Sequence, residues 1–175
     1  MPQENMPVAA RAVIVMGVSG CGKSSVGEAL ASRLGLPFIE GDGLHPESNV
    51  TKMAAGTPLT DEDRWPWLTL IGARMADALS RGEGIVVSCS ALKKIYRDHL
   101  RVATDGRLSF VYLEGSRELL SRRMGARTGH FMPLTLLDSQ LATLEVPTGE
   151  PGVVTVTIDQ PVEGIVADAL KGLGA

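Results

Sequence analysis

The sequence is poor in cysteine. Its 175 residues contain two, Cys21 and Cys89, which cannot form a disulfide framework and have no metal-ligand spacing. That scarcity fits a reducing cytoplasm. No apolar run approaches the ~18 residues of a membrane-spanning helix, so no membrane role is expected. No block of like charge occurs, and a net charge of -3 argues against a protein that reads the phosphate backbone of nucleic acid. A small-molecule partner is expected instead. Met1 to Arg11 holds an acid and a proline and lacks the basic segment and small-residue cleavage site of a signal peptide. Internal repeats and low-complexity segments are also missing, and the length suits one domain, placed at residues 11–175 after a loose tail at 1–10.

What the chain does have is Gly17-Val18-Ser19-Gly20-Cys21-Gly22-Lys23-Ser24, a full match to G-x-x-x-x-G-K-[ST]. The flanks agree with it. Ala12 to Met16 is an apolar, β-branched run that predicts a buried strand, and Val26, Ala29, Leu30 and Leu34 recur at helical spacing from Lys23 onward. Strand, glycine-rich turn and helix thus follow in the order a phosphate-binding loop requires. In such a loop successive backbone N–H groups and the helix N-terminus face an anion. Residues 17–25, through Ser25, form the expected nucleotide site. Lys23 is assigned to the β- and γ-phosphates and Ser24 to Mg²⁺. Cys21 occupies an unconstrained position and reads as packing.

Further along, Leu36 to Glu40 predicts a second strand ending in Gly41-Asp42-Gly43. A carboxylate at the carboxyl end of a strand in an α/β sheet lies where ligands bind, and a tight Gly-flanked turn is the alternative reading of Asp42. Residues 44–68 read as an insertion rich in polar groups and broken by Pro and Gly. Thr60 to Asp63 has capping-box character ahead of a helix over Asp61–Ser80. Arg64 falls in its first turn, where a cation is disfavoured by the helix dipole. Either a ligand or a neighbouring acid, Asp61 or Asp63, accounts for it. Ile85 to Val87 predicts the third strand, leading into Ser88-Cys89-Ser90. Lys93 and Arg97 stand four apart on the next helix, as ligand contacts or as a solvated face. Strands at Leu108–Leu113 and Val153–Ile158 follow. Between them, Arg122, Arg123, Arg127 and His130 cluster between glycines, suiting a lid over residues 123–135 whose cations close on transferring phosphates. Complementing a helix C-terminus is the alternative for those basic residues. Alternation of strands and helices predicts an α/β fold, a P-loop three-layer αβα sandwich with about five parallel strands and helices on both faces.

Several stretches make the resemblance more specific. Gly41-Asp-Gly-Leu-His-Pro46 with Asn49 and Lys52-Met53, Gly56-Thr-Pro-Leu-Thr-Asp61, Asp63-Arg-Trp-Pro-Trp-Leu68, Cys89-Ser-Ala-Leu-Lys93, Arg127-Thr-Gly-His-Phe131 and Leu144-Glu-Val-Pro147 occur in order. In these stretches the chain resembles the small, thermoresistant gluconokinases. The resemblance implies a nucleoside-monophosphate-kinase-like fold with a lid, phosphorylation of D-gluconate by ATP with Mg²⁺, and a homodimer. An anionic polyol needs cations for its carboxylate and short polar groups for its hydroxyls. His45, Lys52, Arg64, Lys93, Arg97 and His130 are the expected cations, and Asp42, Ser88 and Ser90 the polar groups. Lys23, Arg123 and Arg127 are expected to stabilise charge on the γ-phosphoryl group, with Arg123 also able to stack on adenine. Asp42 orients the acceptor hydroxyl, takes its proton, or stands near the Mg²⁺ as a second metal-site residue beside Ser24. The competing expectations are a kinase of another small acceptor, shikimate or a nucleoside monophosphate, and a nucleotide sensor without catalysis.

Overall fold

A computed structural model of the chain describes residues 11–126 and 134–174. Five strands form one sheet: β1 (Ala12–Met16), β2 (Phe38–Glu40), β3 (Ile85–Ser88), β4 (Leu108–Glu114) and β5 (Val153–Thr157). Every pairing is parallel, in the order β2-β3-β1-β4-β5. All five residues of β1 are fully buried, so both faces of the sheet are covered, as a central parallel strand requires. This is the expected α/β sandwich.

The helices are α1 (Lys23–Leu34), α2 (Glu47–Ala54), α3 (Asp61–Ser80), α4 (Lys94–Ala103), α5 (Arg117–Ala126), α6 (Leu134–Thr143) and α7 (Val162–Leu173). Parallel crossovers are right-handed, so the sheet order fixes their side. The step from β1 to β2 runs one way along the sheet and every later step runs the other. Hence α1 lies on one face, where it packs on α7, and α3 packs on α4 across the other. Connections leaving β1 and β3, which are neighbours, diverge to opposite faces. The crevice that opens between their carboxyl ends is where such folds bind ligands.

Strand boundaries agree with the sequence pattern to within two residues. The second strand is shorter than expected because Leu36 and Pro37 precede the ladder, which begins at Phe38↔Val86. One helix was not expected: Glu47–Ala54 lies inside the insertion. Pro46 sits at its N-cap, where the fixed φ and missing N–H cost nothing. The capping box of α3 is present. Asp63 N–H donates to Thr60 Oγ1 at 3.1 Å, and Thr60 N–H donates to Asp63 Oδ2 at 2.9 Å. The expected tail at 1–10 and the centre of the expected lid, with Arg127 and His130, lie outside the described residues.

Candidate active site

The phosphate loop joins β1 to α1. Gly22 caps the helix at φ 91°, a left-handed conformation that glycine adopts without a Cβ penalty. That turn leaves the first N–H groups of α1 facing outward over the loop. Lys23 Nζ donates to the Val18 carbonyl at 3.2 Å, so the ammonium folds back across the loop it serves. Ser19 N–H and Oγ both donate to Gln140 Oε1, at 2.8 and 3.1 Å, which ties α6 to the loop. Cys21 is buried, in keeping with packing. Cys89 is buried as well, and desolvation pushes its thiol up to about 12, so it is inert.

At the carboxyl end of β2 the chain passes very close to β3. A Cβ on Gly41 would lie 1.9 Å from the Ser88 carbonyl oxygen, so only glycine fits there. Ser88 is buried and fully engaged: its Oγ accepts from Gly41 N–H at 3.1 Å and donates to Glu40 Oε1 at 2.7 Å. The other oxygen of Glu40 accepts from Ser24 Oγ at 2.5 Å. Ser88, expected to contact the acceptor, instead positions Glu40, and Glu40 instead of Asp42 is the carboxylate that meets Ser24. Sequence reading missed Glu40. Its place as the last residue of the strand before Gly41-Asp42 was the available signal.

A cleft lies beside the loop. Ser19 and Lys23 line it from the loop after β1, Asp42 and His45 from the loop after β2, Arg64 and Trp67 from α3, Ser90 from the loop after β3, and Ser139 and Gln140 from α6. The crevice between β1 and β3 therefore brings residues of the phosphate loop together with residues from the loops after β2 and β3 and from α3 and α6. Arg64 is buried, and its Nη1 donates to Tyr96 Oη at 2.9 Å. The acids that could have neutralised it are taken elsewhere. Lys93 and Tyr96 both donate to Asp61 Oδ1, and Lys52 Nζ donates to both oxygens of Asp63, at 3.0 and 2.9 Å. The Tyr96 and Lys93 contacts hold the Asp61 carboxyl below its usual range, and Lys52 does the same to Asp63. Among the described residues no carboxylate lies within ion-pair distance of Arg64. Its charge faces the cleft.

The remaining expected cations are placed differently. His45 has an imidazole 3 % exposed, stacked on Trp67 with ring centroids 3.9 Å apart. Burial first, and Arg64 second, push it down to about 4, so it is neutral near pH 7 and is no cation for a carboxylate. Lys52 and Lys93 are held in the ion pairs above and do not line the cleft. Arg97 is fully buried within α4. Its Nη1 donates to Ala91 O at 2.8 Å and its Nη2 to Glu145 O at 2.9 Å. Nε and Nη2 also form a fork on Glu150, at 2.9 and 2.6 Å. Lys93 is the N-cap of α4 and Arg97 lies inside the helix, so their spacing of four does not bring them to one site. Arg123 is half-buried and donates to Ile158 O at 2.7 Å, beyond β5 and away from the cleft lining.

The oxygen donors suit a hard cation. Ser24 and Glu40 offer a hydroxyl and a carboxylate at the mouth of the phosphate loop, and Mg²⁺ is held by one or two carboxylates together with substrate phosphates and water. Among the described residues no cluster of three His, Cys, Asp or Glu could hold a metal unaided.

The comparisons with known proteins agree with this geometry. A family model described as shikimate kinase matches residues 19–145, the phosphate loop through the end of α6. The chain is 44% identical to a gluconokinase of Gluconobacter oxydans (strain 621H), covering 97% of this chain and 94% of that protein. It is 45% identical to the thermoresistant gluconokinase of Escherichia coli (strain K12), covering 90% of each. The chain belongs to the gluconokinase family. A crystal structure of a gluconokinase from Sinorhizobium meliloti 1021 superposes with a TM-score of 0.87 at 58% identity, covering 94% of this chain and 92% of that one. The gluconokinase likeness thus spans the acceptor half and the nucleotide half alike, and the fold is that of a P-loop kinase. No helix among the described residues is long and apolar enough to cross a membrane.

Proposed function

We propose that this enzyme transfers the γ-phosphoryl group of ATP to the terminal hydroxyl of D-gluconate, giving 6-phosphogluconate and ADP. The observation that carries this reading is Arg64, a buried guanidinium without a carboxylate partner among the described residues. It faces a cleft that it shares with Asp42 and Lys23. An acceptor that is both anionic and rich in hydroxyls matches that charge pattern. The names of relatives matched over most of their length support the same acceptor.

In this reading Arg64 holds the gluconate carboxylate, while Asp42, His45 and Ser90 hold hydroxyls. The terminal hydroxyl oxygen bonds to the γ-phosphorus as the bond from that phosphorus to the β,γ-bridging oxygen breaks. The hydroxyl proton passes to Asp42 or, oriented by it, to water. Lys23 and the loop amides carry the charge that collects on the phosphoryl oxygens and on the departing ADP. Arg127 and His130 belong to the proposal through the Arg127-Thr-Gly-His130 motif. Ser24 and Glu40 would hold Mg²⁺, which when bound neutralises charge across the β- and γ-phosphates. A cytoplasmic homodimer completes the reading: the family supports both parts of it, and two buried cysteines that form no disulfide with each other fit a reducing compartment.

Coupled ADP release with Mg-ATP tests it, with D-gluconate set beside shikimate, AMP and no acceptor. Turnover that requires gluconate and vanishes in Lys23→Ala is expected. Turnover only with another acceptor overturns the acceptor assignment, and bound ATP with no turnover would indicate a sensor.

A further inference from the structure

We infer that Asn49 fixes His45 in the tautomer protonated on Nε2, and that this N–H and Asp42 together clamp one hydroxyl of the acceptor. The inference rests on the acceptor reading above for the identity of the polyol, but its first step is independent of it. Asn49 is 2 % exposed, so its amide must be satisfied within the protein. Its Nδ2 lies 2.8 Å from the Asp63 carbonyl oxygen, which can only accept, and that contact settles which end of the amide is nitrogen. The same nitrogen is 3.2 Å from His45 Nδ1. An amide nitrogen has two hydrogens and no acceptor capacity. Nδ1 must therefore accept, and the proton of the neutral ring sits on Nε2.

A half-turn of the ring about its Cβ–Cγ bond would keep its plane but put a carbon where Nδ1 accepts from Asn49, so that contact fixes which way the nitrogens face. The ring is stacked on Trp67 at an interplanar angle of 16°, and Trp67 is itself held by its Nε1–H donating to Gly41 O at 2.8 Å. The charged groups facing the imidazole are Asp42 from the loop after β2 and Arg64 from α3, and the cation opposes a second proton on the ring. Nε2 stands 3.9 Å from Asp42 Oδ1, too far for a hydrogen bond between them. A single oxygen about 2.8 Å from each fits that gap. A hydroxyl there accepts from His45 and donates to Asp42, satisfying both at once. A carboxylate there would meet Asp42 with like charge, so the pair selects a hydroxyl and leaves the carboxylate to Arg64. Asn49 is thus a positioning residue acting through His45.

Long-range proton–nitrogen NMR spectra of the full chain near pH 7 test the tautomer, with His45 assigned by comparison with His45→Gln. Nδ1 is expected to appear as an unprotonated ring nitrogen and Nε2 as a protonated one. Protonated Nδ1, alone or in an imidazolium, overturns the inference. In Asn49→Asp the new carboxylate can only accept, so the proton should move to Nδ1 and the gluconate KM should rise roughly tenfold, the size of one lost hydrogen bond. An unchanged nitrogen pattern in that variant would sink the assignment. Where that variant does not fold, the wild-type spectrum still decides. His45→Gln supplies an N–H near the Nε2 position and should keep the gluconate KM within about threefold, whereas His45→Phe keeps the stack, loses the donor and should raise it roughly tenfold at unchanged ATP KM. Wild-type gluconate KM in the Phe variant removes the clamp. Should the chain phosphorylate a different acceptor, the spectra still report the tautomer, so the two readings fail separately.

Discussion

Ser24 Oγ lies 2.5 Å from Glu40 Oε2, joining the first turn of α1 to the last residue of β2. Glu40 is anchored from behind by Ser88, so its carboxylate is held in place before any cation arrives. Glu40→Gln keeps the shape and removes the charge. Its turnover should fall about 10- to 100-fold, with more Mg²⁺ needed for half-maximal rate. Initial rates over a Mg²⁺ series check this; an unshifted series would take Glu40 out of the metal site.

Arg64 and Asp42 should separate binding from chemistry. Arg64→Met removes the cleft's buried cation, and the gluconate KM is expected to rise roughly 10- to 100-fold while the ATP KM stays near wild type. Asp42→Asn should cut kcat sharply with ATP binding retained. Steady-state kinetics beside nucleotide titration distinguish the two. Normal turnover in the Asn variant removes Asp42 from the mechanism.

Arg97 offers a prediction about stability. Its buried fork on Glu150 also fastens the carbonyl of Ala91, a non-glycine residue held at φ 45° beside Ser90. Arg97→Met leaves Glu150 with Arg101 alone and strips the Ala91 and Glu145 carbonyls of their donor, and should cost about 1–3 kcal/mol, read as a lower urea midpoint. Loosening of the Ser90 loop should lower kcat as well. A midpoint within error of wild type would mean that the fork contributes nothing net.

Acid should weaken the fold in two stages. His45 is held down to about 4 from an ordinary 6.5, so the folded state binds fewer protons there than the unfolded chain. Its contribution is present above 6.5 and is lost as pH falls toward 4. Asp63 is held down to about 2 from 3.8, so its contribution is present above 3.8 and is lost as pH falls through about 2. Urea midpoints near pH 7, 5 and 3 follow both stages. His45→Gln should abolish the first and leave the second.

Periodicity, glycines and the phosphate loop made the sheet, most of the helices and the nucleotide side readable, because each depends on residues adjacent in sequence. Partnering was not readable. Nothing in the spacing of Lys93 and Arg97 tells that one turns to Asp61 and the other to Glu150, since those acids come from α3 and from the segment after α6. Arg64 is open between ligand and ion pair for the same reason, and the pairing of both nearby acids with other partners is what favours the ligand reading proposed above. His45 looked cationic because a sequence does not show burial against Trp67. Helix α2 was hidden by its short length and its polar face.

Asp63 closes the capping box of α3, receives Lys52, and through its carbonyl oxygen orients Asn49. One residue thus belongs at once to a helix terminus, an ion pair and the chain of contacts that ends at His45. Mutational effects at Thr60, Lys52 and Asn49 should therefore be epistatic, each measured against a background the others have already altered. The cleft and the start of α3 are coupled through the Asp63 side chain and its carbonyl, so changing what the cleft accepts means redesigning how that helix begins.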